Sequence, residues 1–400
     1  MDGALLEKQN TMINRRLLFA TAPALLTTTA ALANGTLVEG HTTGGLGLVV
    51  ERAAGSLLVV DRIRLEALGR IEGLGDLSHA SMTFSPDEHF AFVFGRDGGL
   101  TKIDMTTAKI VQLIVQAGNS IGGAISDDGK LVAVSNYEPG GIKVFNADTL
   151  EQVADIPAGS KTIGLADLPG RRFIWSLWDK GECWMADFSG SEFVTSKIAD
   201  VGTNPFDGVL TDDGSTYLIG LFGEKGVSAI DLWAEQPKAV RFLKDYGKTS
   251  EDLPVYKMPH LQGWAFTGNQ FVLPAVGQHE LLWVDRATYQ EAGRTKTHGQ
   301  PVFIIAQPAS PFVWVNFALP DNDTVQVVDS GTLEILKTIT PGPGVLHMEF
   351  APRGAQVWVS VRDADKLVIY DTRTRAPVTE IAAKSPSGIF FTARAHRIGL

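Results

Sequence analysis

The sequence has a single cysteine, Cys183. One thiol cannot build an intramolecular disulfide framework or a four-cysteine zinc site, and no C-x-x-C-H motif is present to attach a c-type haem. Basic residues are in the minority, 35 Lys and Arg against 45 Asp and Glu, for a net charge of −10. The signs are mixed along the chain without a basic stripe, which excludes electrostatically driven binding of nucleic acid. The glycines at 44, 45 and 47 and the run GNSIGG at 118–123 do not form a G-x-G-x-x-G fingerprint between a strand and a helix. No nucleotide site is therefore expected. A G-x-S-x-G nucleophile elbow is also missing, and Cys183, in an alternating strand, reads as a small buried hydrophobe.

What remains is globular: 400 residues, 44% hydrophobic, 42 glycines and only 20% charge. That length suits two or three ordinary domains or one large closed β architecture. Near the N-terminus Arg15 and Arg16 precede an apolar run of roughly 17 residues that ends in Ala31-Leu32-Ala33. Four threonines dilute the run, and it is short for a membrane-spanning helix. Paired arginines before such a core predict a signal peptide of twin-arginine type over residues 1–33, hence a soluble periplasmic protein. Met12 is an alternative start, and with no cysteine near the cleavage site no lipid anchor is expected.

Short strand-like segments ending in Asp or Asn recur: LLVVD at Asp61, LTKID at Asp104, IKVFN at Asn146, CWMAD at Asp187, VSAID at Asp231, LLWVD at Asp285, VQVVD at Asp329 and LVIYD at Asp371. Their spacings are 43, 42, 41, 44, 54, 44 and 42 residues. A period of this size, with turn clusters such as Ser85-Pro86-Asp87 and Asp212-Asp213-Gly214 in phase before the markers, is the signature of four-stranded propeller blades. The long interval predicts an inserted loop around Tyr246 to Pro259. Only 29 residues follow Asp371, too few for a blade, so the strand around Ile389 to Thr392 should pair with N-terminal strands around Leu46 to Asp61. The expected fold is all-β, an eight-bladed β-propeller closed by its two termini over residues 45–400, with 34–44 as linker. The competing reading, a seven-bladed ring plus an extra sheet, requires eight in-phase markers to be accidental.

In a propeller the turns leading into the innermost strands and those joining the second and third strands share one face. Phasing from the markers puts His79, Asp207, His260 and His347 in the first set and Arg52, Arg96, Asn136, Tyr137 and Arg362 in the second. Three arginines in equivalent turns suit a planar ligand bearing several carboxylates, because a guanidinium pairs bidentately with carboxylate. Turn salt bridges with neighbouring aspartates are the structural alternative. A neutral imidazole at such a mouth can ligate iron or move a proton, although a hydrogen-bonded structural histidine is the simpler reading.

The segments DLSHASMTFSPDEHFAFVFGRDGGLTKID, GNSIGGAISDDGKLVAVSNYEPGG, LPVYKMPHLQGWA, VWVNFALPDND, VLHMEF and SPSGIFF resemble the NirF family of d1 haem biosynthesis, from about Gly45 to the C-terminus. They are more distantly similar to the d1-haem domain of cytochrome cd1 nitrite reductase. The resemblance implies the same propeller, export to the periplasm, and non-covalent binding of d1 haem or a dihydro-d1-type precursor. It implies that His79 is the axial ligand of the haem iron, that Arg96 and Arg52 contact the haem periphery, and that Tyr137 lies near the pocket. His260 matches one of the reductase's two distal histidines, while the region of the other reads Asn204-Pro205-Phe206-Asp207. Without a c-haem motif and with that distal pair changed, the chain is not expected to reduce nitrite.

Two readings stay open at this point. In one the protein modifies a late tetrapyrrole, in a dehydrogenase-like or related step, with His260 and Asp207 as catalytic acid and base and with Asn136 and Arg362 among the binding residues. In the other it is a carrier that delivers d1 haem to cytochrome cd1 nitrite reductase or another maturation protein. A homodimer is compatible with both. An unrelated propeller, such as a quinoprotein or an interaction platform, is the third possibility.

Overall fold

The computed structural model describes residues 37–245, 263–275 and 278–397. The leader segment, the inserted loop from Tyr246 to Pro259 and His260 lie outside the described residues. Eight four-stranded antiparallel sheets follow one another around a ring, as the repeat predicts. Blade 1 begins with the innermost strand Ser81–Phe84, blade 2 with Asn119–Ile125, blade 3 with Thr162–Leu168 and blade 4 with Pro205–Leu210. Blades 5, 6 and 7 begin with Ala265–Thr267, Pro301–Ala306 and Val345–Phe350. Blade 8 is composite: Pro386–Phe391 is innermost, and Leu46–Glu51, Ser56–Asp61 and Glu66–Ile71 follow outward.

The closing pair has the expected register, with Gly47 opposite Phe391, Leu48 opposite Phe390 and Val49 opposite Ile389. Closure leaves no open first or last sheet in the ring. Middle strands are largely buried on both faces because each blade is sandwiched between two others; Leu46–Glu51 and the inner strand Thr162–Leu168 are buried along their whole length. Outer strands alternate instead, as in Lys109–Val115. Trp175, Trp314 and Trp358 fill the spaces between blades.

All eight repeat markers occupy one position, the last residue of a blade's third strand. Each turns its side-chain oxygen onto backbone N–H groups of the following hairpin: Asp61 onto Ile63 and Arg64, Asp104 onto Thr106, Asn146 onto Asp148 and Thr149, Asp285 onto Ala287 and Thr288. The remaining four do the same. Four residues beyond six of these markers the chain takes a positive φ, for example 54° at Leu150 and 62° at Leu333. A side chain that substitutes for a backbone acceptor, followed by one left-handed residue, makes a tight four-residue hairpin connection, as between the paired Asp104 and Lys109. The repeat therefore encodes turns rather than a ligand site.

Candidate functional site

The mouth is assembled by tying each turn between second and third strands to the start of the innermost strand. The N–H of Arg96 donates to Asp76 O at 2.8 Å, that of Trp178 to Lys161 O at 3.0 Å, that of Phe222 to Asn204 O at 2.9 Å and that of Arg362 to Gly344 O at 2.9 Å. Acidic side chains reinforce the same seam. Asp97 accepts from the Asp76 amide, Asp179 from Lys161, Glu224 from Thr203 and Asp365 from Ser385. The carboxylates of these turns are thus largely committed to backbone.

This distinguishes the three arginines. Arg362 forms a bidentate pair with its neighbour Asp363, at 2.6 and 2.9 Å, the turn salt bridge anticipated as the structural alternative. Asp97, by contrast, spends its oxygens on the amides of Asp76 and Gly99. The half-buried Arg96 instead lies with its Cζ 5.3 Å from the centre of the Tyr137 ring. Arg52 is exposed, and the acid beside it, Glu51, is held by Arg70. The carboxyl of Asp76 is lowered first by its hydrogen bonds with Ser78, and the charges of Arg96 and Arg52 add to the effect. Guanidiniums of adjacent blades therefore converge on one stretch of rim, which also carries the exposed His79 three residues after Asp76.

Tyr137 is half-buried, and burial pushes its phenol up to about 12. The negative charge of Asp207 acts in the same direction and Arg96 opposes it. Arg96 of blade 1, Tyr137 of blade 2 and Asp207 of blade 4 thereby form one electrostatic group. Asp207 lies on Pro205–Leu210 where the register with the next strand shifts. The shift is pinned from below, since the buried Tyr217 hydroxyl donates to Gly164 O of blade 3. Gly164 has φ +64°, and a Cβ there would meet the Tyr217 hydroxyl and the Gly208 amide at 2.6 and 2.7 Å.

Asn136 lies beneath the rim, 1% exposed. Its amide exchanges hydrogen bonds with Gln116 and accepts from Ser120 Oγ, so its place is in the wall. His347 is also inside: its Nδ1 accepts the Ile389 N–H at 3.2 Å and its ring stacks on Phe390. That bond holds the ring inside the wall rather than at the mouth. Among the described residues no cluster of three or more His, Cys, Asp or Glu could hold a bare metal ion. One exposed imidazole, such as that of His79, is the complement a haem iron asks of a protein, because the macrocycle supplies the other donors.

One feature of the mouth escaped the sequence reading. Trp178, Phe206 and Phe222 pack together, with Trp178 4.8 Å from Phe222 and 5.5 Å from Phe206 between ring centres. Trp178 and Phe222 are half-exposed. The repeat phase puts Trp178 in a turn between second and third strands and Phe206 at the start of an innermost strand, but their contact arises only from packing between blades.

The profile of the Cytochrome D1 heme domain family matches residues 41–395. Protein NirF of Pseudomonas aeruginosa is 50% identical over 388 residues, spanning 95% of this chain and 98% of that protein. Protein NirF of Stutzerimonas stutzeri is 52% identical over 367 residues, 90% of this chain and 94% of that one. Among solved structures, the dihydro-heme d1 dehydrogenase NirN in complex with DHE superposes with a TM-score of 0.79 at 24% identity, covering 92% of this chain and 79% of that one. This last likeness shows the propeller fold.

Proposed function

The chain belongs to the NirF family, within the cytochrome d1 haem-domain family, and from that premise we propose that it binds d1 haem or a late tetrapyrrole precursor non-covalently in the periplasm and carries out a late modification needed to mature cytochrome cd1 nitrite reductase. The observation that carries the binding claim is the convergence of Arg52 and Arg96 beside the exposed His79. In this reading His79 would hold the iron and the guanidiniums would take peripheral carboxylates. Attachment through sulfur is disfavoured, since Cys183 is fully buried and burial pushes its thiol up to about 12. A thiol that stays protonated and enclosed is a poor nucleophile.

When bound, the tetrapyrrole supplies the redox chemistry, and the chain's own residues supply position and protons. Tyr137 stays protonated across the physiological range and so is a hydrogen-bond donor at the rim. Asp207, next to it electrostatically, is the group able to take or return a proton, alone or with His260. A carrier needs the axial histidine and the clamps but has no use for this pair. The nitrite reductase and other d1 haem maturation proteins are the partners this function implies, and a twin-arginine leader is suited to exporting a protein already folded.

The test is anaerobic incubation of the pure protein with the late d1 precursor, read by visible spectrum and by mass. A changed spectrum with a changed mass supports modification. Tight binding with an unchanged mass, in a protein whose Asp207→Ala variant still supports d1 haem formation in cells, selects the carrier. No spectral change at all would sink the binding claim.

A further inference from the structure

The mouth is two-sided. Arg52 and Arg96, whose neighbouring carboxylates are engaged elsewhere, belong to the adjacent blades 8 and 1. Trp178 is in blade 3, and Phe206 and Phe222 are in blade 4. In a ring of eight blades 4 lies across from 8, so Phe206 and Phe222 face the Arg52 turn across the mouth, with Trp178 beside them in blade 3. The two sides are linked through Tyr137, which senses both Arg96 and Asp207, and Asp207 directly follows Phe206 in the chain. The cluster is rigidly set: Asn204 Nδ2 donates to Trp178 O at 3.2 Å, and the Phe222 N–H donates to Asn204 O at 2.9 Å.

A plate with carboxylates along one edge and hydrocarbon along the other can be turned about its normal while its iron stays on one imidazole. Carboxylates against the faces of aromatic rings would lose hydration without gaining a guanidinium, whereas an apolar edge there is removed from water. We propose that Trp178, Phe206 and Phe222 seat the carboxylate-poor edge of the tetrapyrrole and thereby fix its rotational orientation over His79. These three are positioning residues, and they determine which ring edge is presented to Asp207 and Tyr137. The inference rests on the tetrapyrrole binding proposed above.

The probes are ferric d1 haem and, as a comparator with carboxylates on one edge only, ferric haem b. Each is titrated into the wild-type protein and into Trp178→Leu, Phe222→Leu and Trp178→Phe, recording affinity by absorbance and orientation by the induced circular dichroism of the bound chromophore. The leucine variants are expected to weaken binding about tenfold, the loss of one good aromatic contact, and to alter the shape of the induced spectrum. Trp178→Phe should keep the wild-type spectrum. Far-ultraviolet circular dichroism checks folding, and Phe222→Leu decides the matter if Trp178→Leu fails to fold. An induced spectrum unchanged in the leucine variants overturns the proposal, whether or not affinity falls. Failure of wild-type protein to bind d1 haem instead overturns the binding function itself, so the two failures are separable.

Discussion

A guanidinium at a protein rim is worth little if a neighbouring carboxylate already neutralises it, and more if that carboxylate is engaged elsewhere. Asp97 is engaged by two backbone amides and Glu51 by Arg70, which leaves the guanidiniums of Arg96 and Arg52 available at the rim, whereas Arg362 is held by Asp363. Replacing Arg52 or Arg96 by Gln should weaken d1 haem binding about tenfold each, the scale of one charge-assisted contact at a wet rim, with the absorption maxima in place. His79→Ala should do the converse and move the maxima; an unmoved spectrum would remove His79 from the iron. Tyr137 carries a second measurable consequence. Since the charge of Asp207 helps hold its phenol up, Asp207→Asn should lower the tyrosinate midpoint from about 12, with Tyr137→Phe identifying the signal among the six tyrosines. A midpoint that stays put would separate the two side chains. The placement of His79, Arg52 and Arg96 at the mouth was legible in the sequence because repeat phase places turns on a face. The burial of Asn136 and the pairing of Arg362 were not, since phase fixes where a residue sits in a turn but not what its side chain meets.

At the level of the hairpin, the Asp and Asn markers that made the ring countable act on backbone and not on ligand. Asp104 accepts from the Thr106 amide at 2.7 Å and from its hydroxyl at 2.6 Å. Burial alone would raise its carboxyl, but these bonds outweigh burial and the net shift is downward. A carboxyl lowered in the folded state stabilises fully above its unfolded value, about 3.9, and loses that contribution as pH falls through the folded value. Asp104→Ala should therefore cost about 1 kcal/mol in urea unfolding at neutral pH. Asp104→Asn, imitating the natural Asn146, should cost less and should flatten the acid limb of the stability curve. Equal losses in the two variants would show that charge, and not the acceptor geometry, matters at these turns.

At the scale of the molecule, an eight-bladed ring is held by its seam, and the seam here converges on one carboxylate. Glu51 is fully buried and accepts from Arg70 Nε and Nη2 at 2.6 and 2.9 Å, from Ser56 Oγ at 2.8 Å and from the Lys384 amide at 2.8 Å. It thus joins three N-terminal strands of blade 8 to the segment that leads into the C-terminal strand. On the opposite face Thr392 Oγ1 donates to Thr43 O and Leu46 O, and His396 meets Glu88 at 2.8 Å. Closure by the termini was legible because residues left over at the two ends add up to one blade; the identity of the clasp was not, since Glu51 has no repeat partner to mark it. Burial pushes the Glu51 carboxyl upward, yet Arg70, the Lys384 amide and Ser56 prevail and it ends below its usual range. Its stabilisation is complete at neutral pH and fades as pH drops below about 4 and through the folded value. Glu51→Gln keeps the volume but offers one carbonyl oxygen where the carboxylate serves four donors. It should cost about 2–3 kcal/mol, because Arg70 is part-exposed and can recover water, and it should lose the acid-dependent part of the melting curve. The loss should appear first at the seam. Limited proteolysis of the variant is expected to release the C-terminal strand while the other seven blades stay intact, and cleavage spread evenly around the ring would refute a clasp at Glu51. Because Arg52 follows directly in the chain, a loosened seam should also weaken d1 haem binding at neutral pH, and added ligand should slow the cleavage.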